Sequence, residues 1–178
     1  MFIRLIDQND EEDLFLWRNN IDTRKMSFET GLIDIKDHKL WFQKTLNSKD
    51  RLIYIGEKNG NKIGVCSFEK KKNKSYNEVS IIINPSERGK GFSYQLLSMA
   101  IEKYLFTRKC NIISRVKKFN VISIRLFEKA GFYKQKEMKD YFLFILPKVN
   151  LLFKNVIFKN EYVHILYDLL KSRKNNIS

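Results

Sequence analysis

Cysteine, histidine and proline occur only twice each in these 178 residues. Cys66 and Cys110 sit inside apolar, strand-like runs, where a buried thiol is the plain reading, so no disulfide is expected. With His38 and His164 as the only histidines, a zinc centre built from Cys and His lacks ligands, and no metal is expected. Long apolar runs are missing as well. The longest, Tyr141 to Phe153, contains Pro147 and Lys148 and falls short of the roughly 20 residues that a membrane span needs. The first residues, MFIRLIDQNDEED, carry no basic segment, apolar segment and cleavage site in the order of a secretion leader. The chain reads as cytoplasmic, with no membrane partner.

Negative charge is also short. Asp and Glu number 20 against 34 Lys and Arg, a formal charge of +14. Such an excess asks for an anionic partner, either nucleic acid or a phosphate-rich small molecule. The densest basic runs, Glu69 to Lys74 and Lys171 to Asn176, fall in a loop and a tail, where a solvated charge run is the ordinary case. Lys, Asn, Ile and Phe are abundant along the whole chain, so part of the excess is background. What the chain does have is apolar content: 43% hydrophobic and 13% aromatic, enough for one globular domain with a proper core.

Local patterns order that domain. MFIRLI reads as a strand. A helix follows with Asn9 or Asp10 as its cap and Leu14, Trp17 and Ile21 at helical spacing. Asp34 caps a second helix that places His38, Trp41, Phe42 and Thr45 on one face. Two strands flank the hairpin signal Asn59-Gly60, and the apolar run Val79 to Ile83 reads as a central strand. A helix spans Gly89 to about Phe106, a strand Asn111 to Val116, and a short helix ends at Gly131. GFYKQKEM and EYVHILYDLL read as closing strands. The apolar arm 141–160 fits either an extended hairpin or a small helix, and either a dimer surface or a lid. The class is mixed α/β, in one domain over 1–170 with a basic flexible tail at 171–178.

NPSERGKGFSYQLL, from Asn84 to Leu97, raises the chemical question. A Walker loop requires a Gly-Lys-Ser/Thr ending that is absent here, and a dinucleotide fingerprint requires a third glycine where Tyr94 stands. The remaining phosphate-binding reading is a nest of backbone N–H groups from Arg88 to Ser93 at a helix's positive end, suited to a diphosphate. The plain alternative is an ordinary strand-to-helix turn.

The turn is not isolated. VSIIINPSERGKGFSYQLLSMAIEKY resembles motif A of the GNAT superfamily of acetyl-CoA-dependent N-acetyltransferases, and NVISIRLFEKAGF resembles its motif B. LWRNNIDTRKMSF followed by IDIKDHKLWFQKTL is similar to the branch acting on nucleotide-linked amino sugars, such as the pseudaminic acid pathway's N-acetyltransferase, and shares features with enzymes acting on ribosomal-protein amino termini. The resemblance implies a GNAT fold, a mixed sheet splayed at the motif A strand with helices on both faces. It also implies acetyl-CoA as co-substrate, and a small-molecule amine, from a nucleotide sugar, as acceptor.

Residue roles follow from the same resemblance. The backbone of Ile81, Ile82 and Ile83 would pair with the pantetheine arm, with an oxyanion donor near Ile82 or Ile83. Arg88, Gly89, Lys90, Gly91, Phe92 and Ser93 would hold the pyrophosphate, although Ser86 stands at the motif's leading Gln/Arg position. Asn120 and Ser123 would cap the short helix and reach the coenzyme. Glu78 would serve as base through a water, with Ser80 beside it on the strand. The family's thiolate acid, a Tyr, is Phe127 here, leaving Tyr133, Tyr94, water or the substrate's own ammonium as the proton source. Trp17, Arg18, Asn19, Met26, His38, Trp41 and Phe42 are the candidate acceptor lid, with helix-to-sheet core as the plain alternative for the large aromatics. The rival readings are a protein N-terminal acetyltransferase and a basic nucleic-acid-binding module.

Overall fold

A computed structural model of the chain describes residues 1–147. β1 (Phe2–Leu5) runs into a single 3-10 turn, Gln8–Asp10. Asp7 caps that turn, accepting from the Asn9 N–H, while Asp10 accepts from the Asp7 N–H and itself stands at the N-cap of the helix that follows, without a side-chain capping bond. α1 (Glu11–Asn19) then carries three acids in its first turn, where the helix dipole favours them. It stops because the Asn20 side chain caps a new helix, α2 (Ile21–Met26), accepting from the N–H groups of Asp22 and Thr23. The spacing that joins Ile21 to Leu14 and Trp17 is therefore broken. Ile21 opens α2 and is exposed, and three helices, not two, precede the hairpin.

α3 (Ile35–Leu46) starts on Asp34 and buries His38, Phe42 and Thr45. β2 (Arg51–Lys58) and β3 (Asn61–Lys70) form the hairpin, with Asn59 and Gly60 both at positive φ. Then come β4 (Tyr76–Ile83), α4 (Phe92–Thr107), β5 (Asn111–Lys117), α5 (Val121–Lys129), β6 (Tyr133–Glu137) and β7 (Tyr141–Leu146). The sheet order is β1-β2-β3-β4-β5-β7-β6. The apolar arm thus begins as a strand that inserts between β5 and β6. The rest of that arm, the closing strand expected at 161–170, the domain boundary at 170 and the basic tail lie outside the described residues.

Helices cover both faces of the sheet. Under α4 and α5, Phe68, Val79, Leu96, Leu97, Ile112, Phe127 and Phe144 form the larger core. Under α1 and α3, Leu14, Trp17, Phe42, Ile53, Ile55 and Val65 form the smaller one. All strand pairs are antiparallel except β4–β5. That parallel ladder runs only from Tyr76–Asn111 to Glu78–Ile113 and then ends, so the two central strands diverge over the rest of their length. Among the described residues no helix is long and apolar enough to cross a membrane.

Candidate active site

The gap between β4 and β5 is lined by main chain. Asn84 N donates to Ile63 O, and the β3–β4 register runs on from it, Ile83 opposite Gly64 and Ile82 opposite Val65. Antiparallel alternation then turns the backbone groups of Ile82 and Ser80 toward β3, and those of Val79, Ile81 and Ile83 toward the gap. Of the three isoleucines expected to pair with pantetheine, Ile81 and Ile83 turn their backbone groups to the gap and Ile82 turns its own to β3. The side chains of Ile81 and Ile83 pack on the larger core, that of Ile82 on the smaller one.

At the end of β4 the chain enters the glycine turn. Gly89 and Gly91 have φ of 76° and 77°, the left-handed conformation that residues with a Cβ resist, and a Cβ at either would meet nothing within 4 Å. Gly91 is the N-cap of α4. It has no side chain to satisfy the first N–H groups, those of Phe92, Ser93 and Tyr94, and no acid stands in the first turn. Bare donors at a helix's positive end, reached by a backbone with free space around it, suit a phosphate group. This turn and the unpaired edge of β4 together fit a long thioester with a diphosphate.

The side chains of the turn are placed otherwise than expected. Arg88 does not aim at the nest. Its guanidinium donates to Asn20 Oδ1 (3.1 Å) and to Thr23 Oγ1, and lies 3.5 Å from Asp22, docking the turn onto the start of α2. Lys90 pairs with Glu87 at 3.0 Å. The Phe92 ring lies under the Lys58 ammonium. Asn120 caps α5 by accepting from the Ser123 N–H at 3.1 Å, the plain helix-cap role.

On the opposite face of β4, Glu78 and the exposed Ser80 alternate with the core isoleucines. Glu78 is held by Arg115, with contacts of 2.6 and 3.3 Å, and by Lys71 at 3.1 Å. This hydrogen-bonded pairing raises the Arg115 guanidinium above its usual range. Burial opposes the Lys71 charge, but Glu69 and Glu78 still hold it above the lysine range. Phe127 is buried against Phe132 and Phe144, so no hydroxyl stands at that position of α5. Tyr133 opens β6, separated from β4 by β7 and β5. Tyr94 stays in the first turn of α4, its ring under Lys129.

The expected lid largely dissolves into structure. Trp17 and Phe42 are core. His38 is buried, its Nε2 at 3.0 Å from Glu11 O, stacked on Phe42 with Phe15 and Trp41 tilted against it; burial lowers its pKa. Asn19 clasps both the N–H and C=O of Ile33. Trp41 packs partly on the smaller core beneath Arg51. Arg18 donates to Glu29 O at 2.7 Å while its Nη1 is buried without a partner, and burial lowers its pKa. Of the set, only Met26 presents substantial free surface.

α2 and the loop after it reach both diverging strands. Arg88, after β4, holds one end of α2, and Lys117, the last residue of β5, donates to Lys25 O at the other end. The helix lies as a crossbar over the mouth where the strands diverge. Phe28 then covers the Arg115 guanidinium at 4.8 Å and meets the edge of Tyr141. Sequence reasoning missed Phe28, Arg115, Lys117 and Tyr141; period-2 alternation placing Arg115 on the Glu78 face was the one available signal.

The comparisons fit this geometry. The acetyltransferase (GNAT) domain model matches residues 1–133. YwnH of Bacillus subtilis (strain 168), provisionally named a phosphinothricin acetyltransferase, is 30% identical over 138 residues, 74% of this chain and 83% of its own. Spermidine N-acetyltransferase from Vibrio cholerae, solved with CoA and spermine, has a TM-score of 0.76 at 18% identity, over 83% of this chain and 95% of that one. An N-acetyltransferase from Staphylococcus aureus Mu50 reaches 0.70 at 22% identity, over 83% and 98%. At such identities the two structures speak for the fold, and membership rests on the family match and YwnH. The chain belongs to the GNAT acetyltransferase family and is an acetyl-CoA-dependent N-acetyltransferase.

Proposed function

We propose that the acceptor is the primary amine of a nucleotide-linked deoxy-amino sugar. The observation that carries this is the charge at the acceptor side of the gap. Glu78, the acid on that face of β4, is already matched by Arg115 and Lys71, and Lys117 and Lys25 stand beyond it. Such a mouth attracts an acceptor that brings negative charge of its own. It disfavours a bare polyamine, the acceptor class named for the Vibrio cholerae relative. The likeness of the segment from Leu16 to Leu46 to the amino-sugar branch points the same way.

Acetyl-CoA supplies the activated acyl group; the chain's part is to hold, align and shield. The amides from Gly89 to Ser93 grip the diphosphate, with Lys90 at the rim. Ile81 and Ile83 guide the arm along β4, and an amide of that edge stabilises the negative charge that grows on the thioester oxygen, an effect of about 3–4 kcal/mol in comparable sites. Ser80 is placed to hold a water near the amine. Glu78 keeps Arg115 in position, because its carboxylate is committed to two cations.

The test is release of CoA thiol from acetyl-CoA by the purified protein. Thiol release with a UDP-linked amino sugar, well above that with the unlinked sugar, is the expected result. Release with spermidine or a peptide amino terminus alone would overturn the acceptor.

A further inference from the structure

Three cations meet at the far end of α2. Arg24 and Lys25 line a cleft of about 370 Å³ together with Ile21, Met26, Thr30 and Phe119. Lys117 reaches the same edge from β5, its Nζ 3.1 Å from Lys25 O and 5.4 Å from the centre of the Phe119 ring. Among the described residues none of the three is ion-paired with a carboxylate, whereas Arg88, Lys90, Lys71 and Arg115 all are. Arg24 is fixed in place by its bonds to Asn19 O and Thr30 O. Phe119 is 62% exposed, with the Lys117 ammonium over its ring. Fixed positive charge beside bare aromatic surface is complementary to a ring that carries phosphate.

We propose that this cleft holds the phosphate-bearing end of the acceptor, with Arg24, Lys25 and Lys117 facing the charge and Phe119 the attached ring. The identity of the acceptor rests on the reading above; the anion site does not. α2 separates the cleft from the glycine turn, so coenzyme phosphates and acceptor phosphates have different hosts. The amine end of the acceptor then points past Phe28 toward Ser80.

Calorimetric titration of UDP and of inorganic pyrophosphate into protein saturated with CoA, so that the glycine turn is filled, tests this directly. UDP is expected to bind. The Lys25→Met/Lys117→Met double variant weakens both probes by about tenfold or more, and Phe119→Ala weakens UDP while leaving pyrophosphate within about twofold. Lys25→Met alone keeps the main-chain bond at Lys25 O and serves if the double variant fails to fold. Failure of UDP and pyrophosphate to bind the CoA-saturated protein, or equal binding by the lysine variants, overturns the cleft. UDP binding as expected with no thiol release from any UDP-linked amino sugar overturns the sugar reading and upholds the cleft.

Discussion

Asp10 shows what one buried charge does here. Its carboxylate is fully buried, bonded by Arg4 at 2.7 and 3.0 Å and by Lys62 at 2.8 Å. Burial would raise its pKa, but these partners and the Asp7 N–H hold it down to about 2. A carboxyl lower in the folded than in the unfolded chain stabilises above the unfolded value, 3.8, and loses that contribution as pH falls toward 2. Denaturant melts from pH 6 to 2 should show this decline. Asp10→Ala, which strands Arg4 and Lys62, should cost about 3–5 kcal/mol. At the site, Glu78→Gln should lower kcat by less than about tenfold, against the 10²–10⁴-fold expected of a lost general base. Tyr133→Phe should change kcat by less than about threefold, because β6 stands two strands beyond the gap, where a general acid would again matter by about 10²–10⁴-fold. Initial-rate kinetics with saturating acetyl-CoA separate both outcomes.

Among the elements, the glycine turn and α2 are the ones to perturb. Gly91→Val forces a β-branched residue into left-handed φ, at about 1–3 kcal/mol, and should weaken acetyl-CoA by about tenfold or more in a binding titration. Arg88→Met should leave acetyl-CoA affinity nearly unchanged but raise the acceptor KM, because the guanidinium holds α2 and not the nest. The contrast also marks what the sequence could tell. Backbone devices were legible: glycines at 89 and 91, the Asp34 and Asn120 caps, the Asn59-Gly60 hairpin. These depend on short-range stereochemistry, whereas the splayed strand came with the family resemblance. Side-chain destinations were not. Trp17, His38 and Trp41 look alike whether they face a ligand or a core, and only tertiary packing decides. Arg88 adjoins the phosphate turn in sequence yet bonds Asn20, 68 residues away. The Asn20 cap that splits the first helix was hidden by apolar spacing that continued through Ile21.

For the molecule as a whole, the formal charge is +14. Nine of the described lysines and arginines stand in ion pairs, three of them in the row Arg51–Glu69–Lys71–Glu78–Arg115 across the sheet. The cations without an ion pair, from Lys36 and Lys39 to Lys136 and Lys139, are scattered along the described chain, with Arg24, Lys25 and Lys117 gathered at the end of α2. Nucleic acid should therefore bind only by non-specific attraction, with affinity falling steeply as salt rises, while acetyl-CoA binding declines far less. A filter-binding series at rising salt checks this.

The ladder of three residue pairs between β4 and β5 has a mechanical meaning. It is the shortest hydrogen-bonded seam in the sheet's interior, and beyond it the sheet's two halves are joined by the Glu78–Arg115 pair and by the helices packed across them. Pulled at the loops beyond Ile83 and Lys117, the molecule should part there like an unbuttoned collar, at lower force than tension across the β2–β3 hairpin demands. Optical-tweezer traces with handles at those loops would show that early rip, and a ligand bridging both lapels would postpone it.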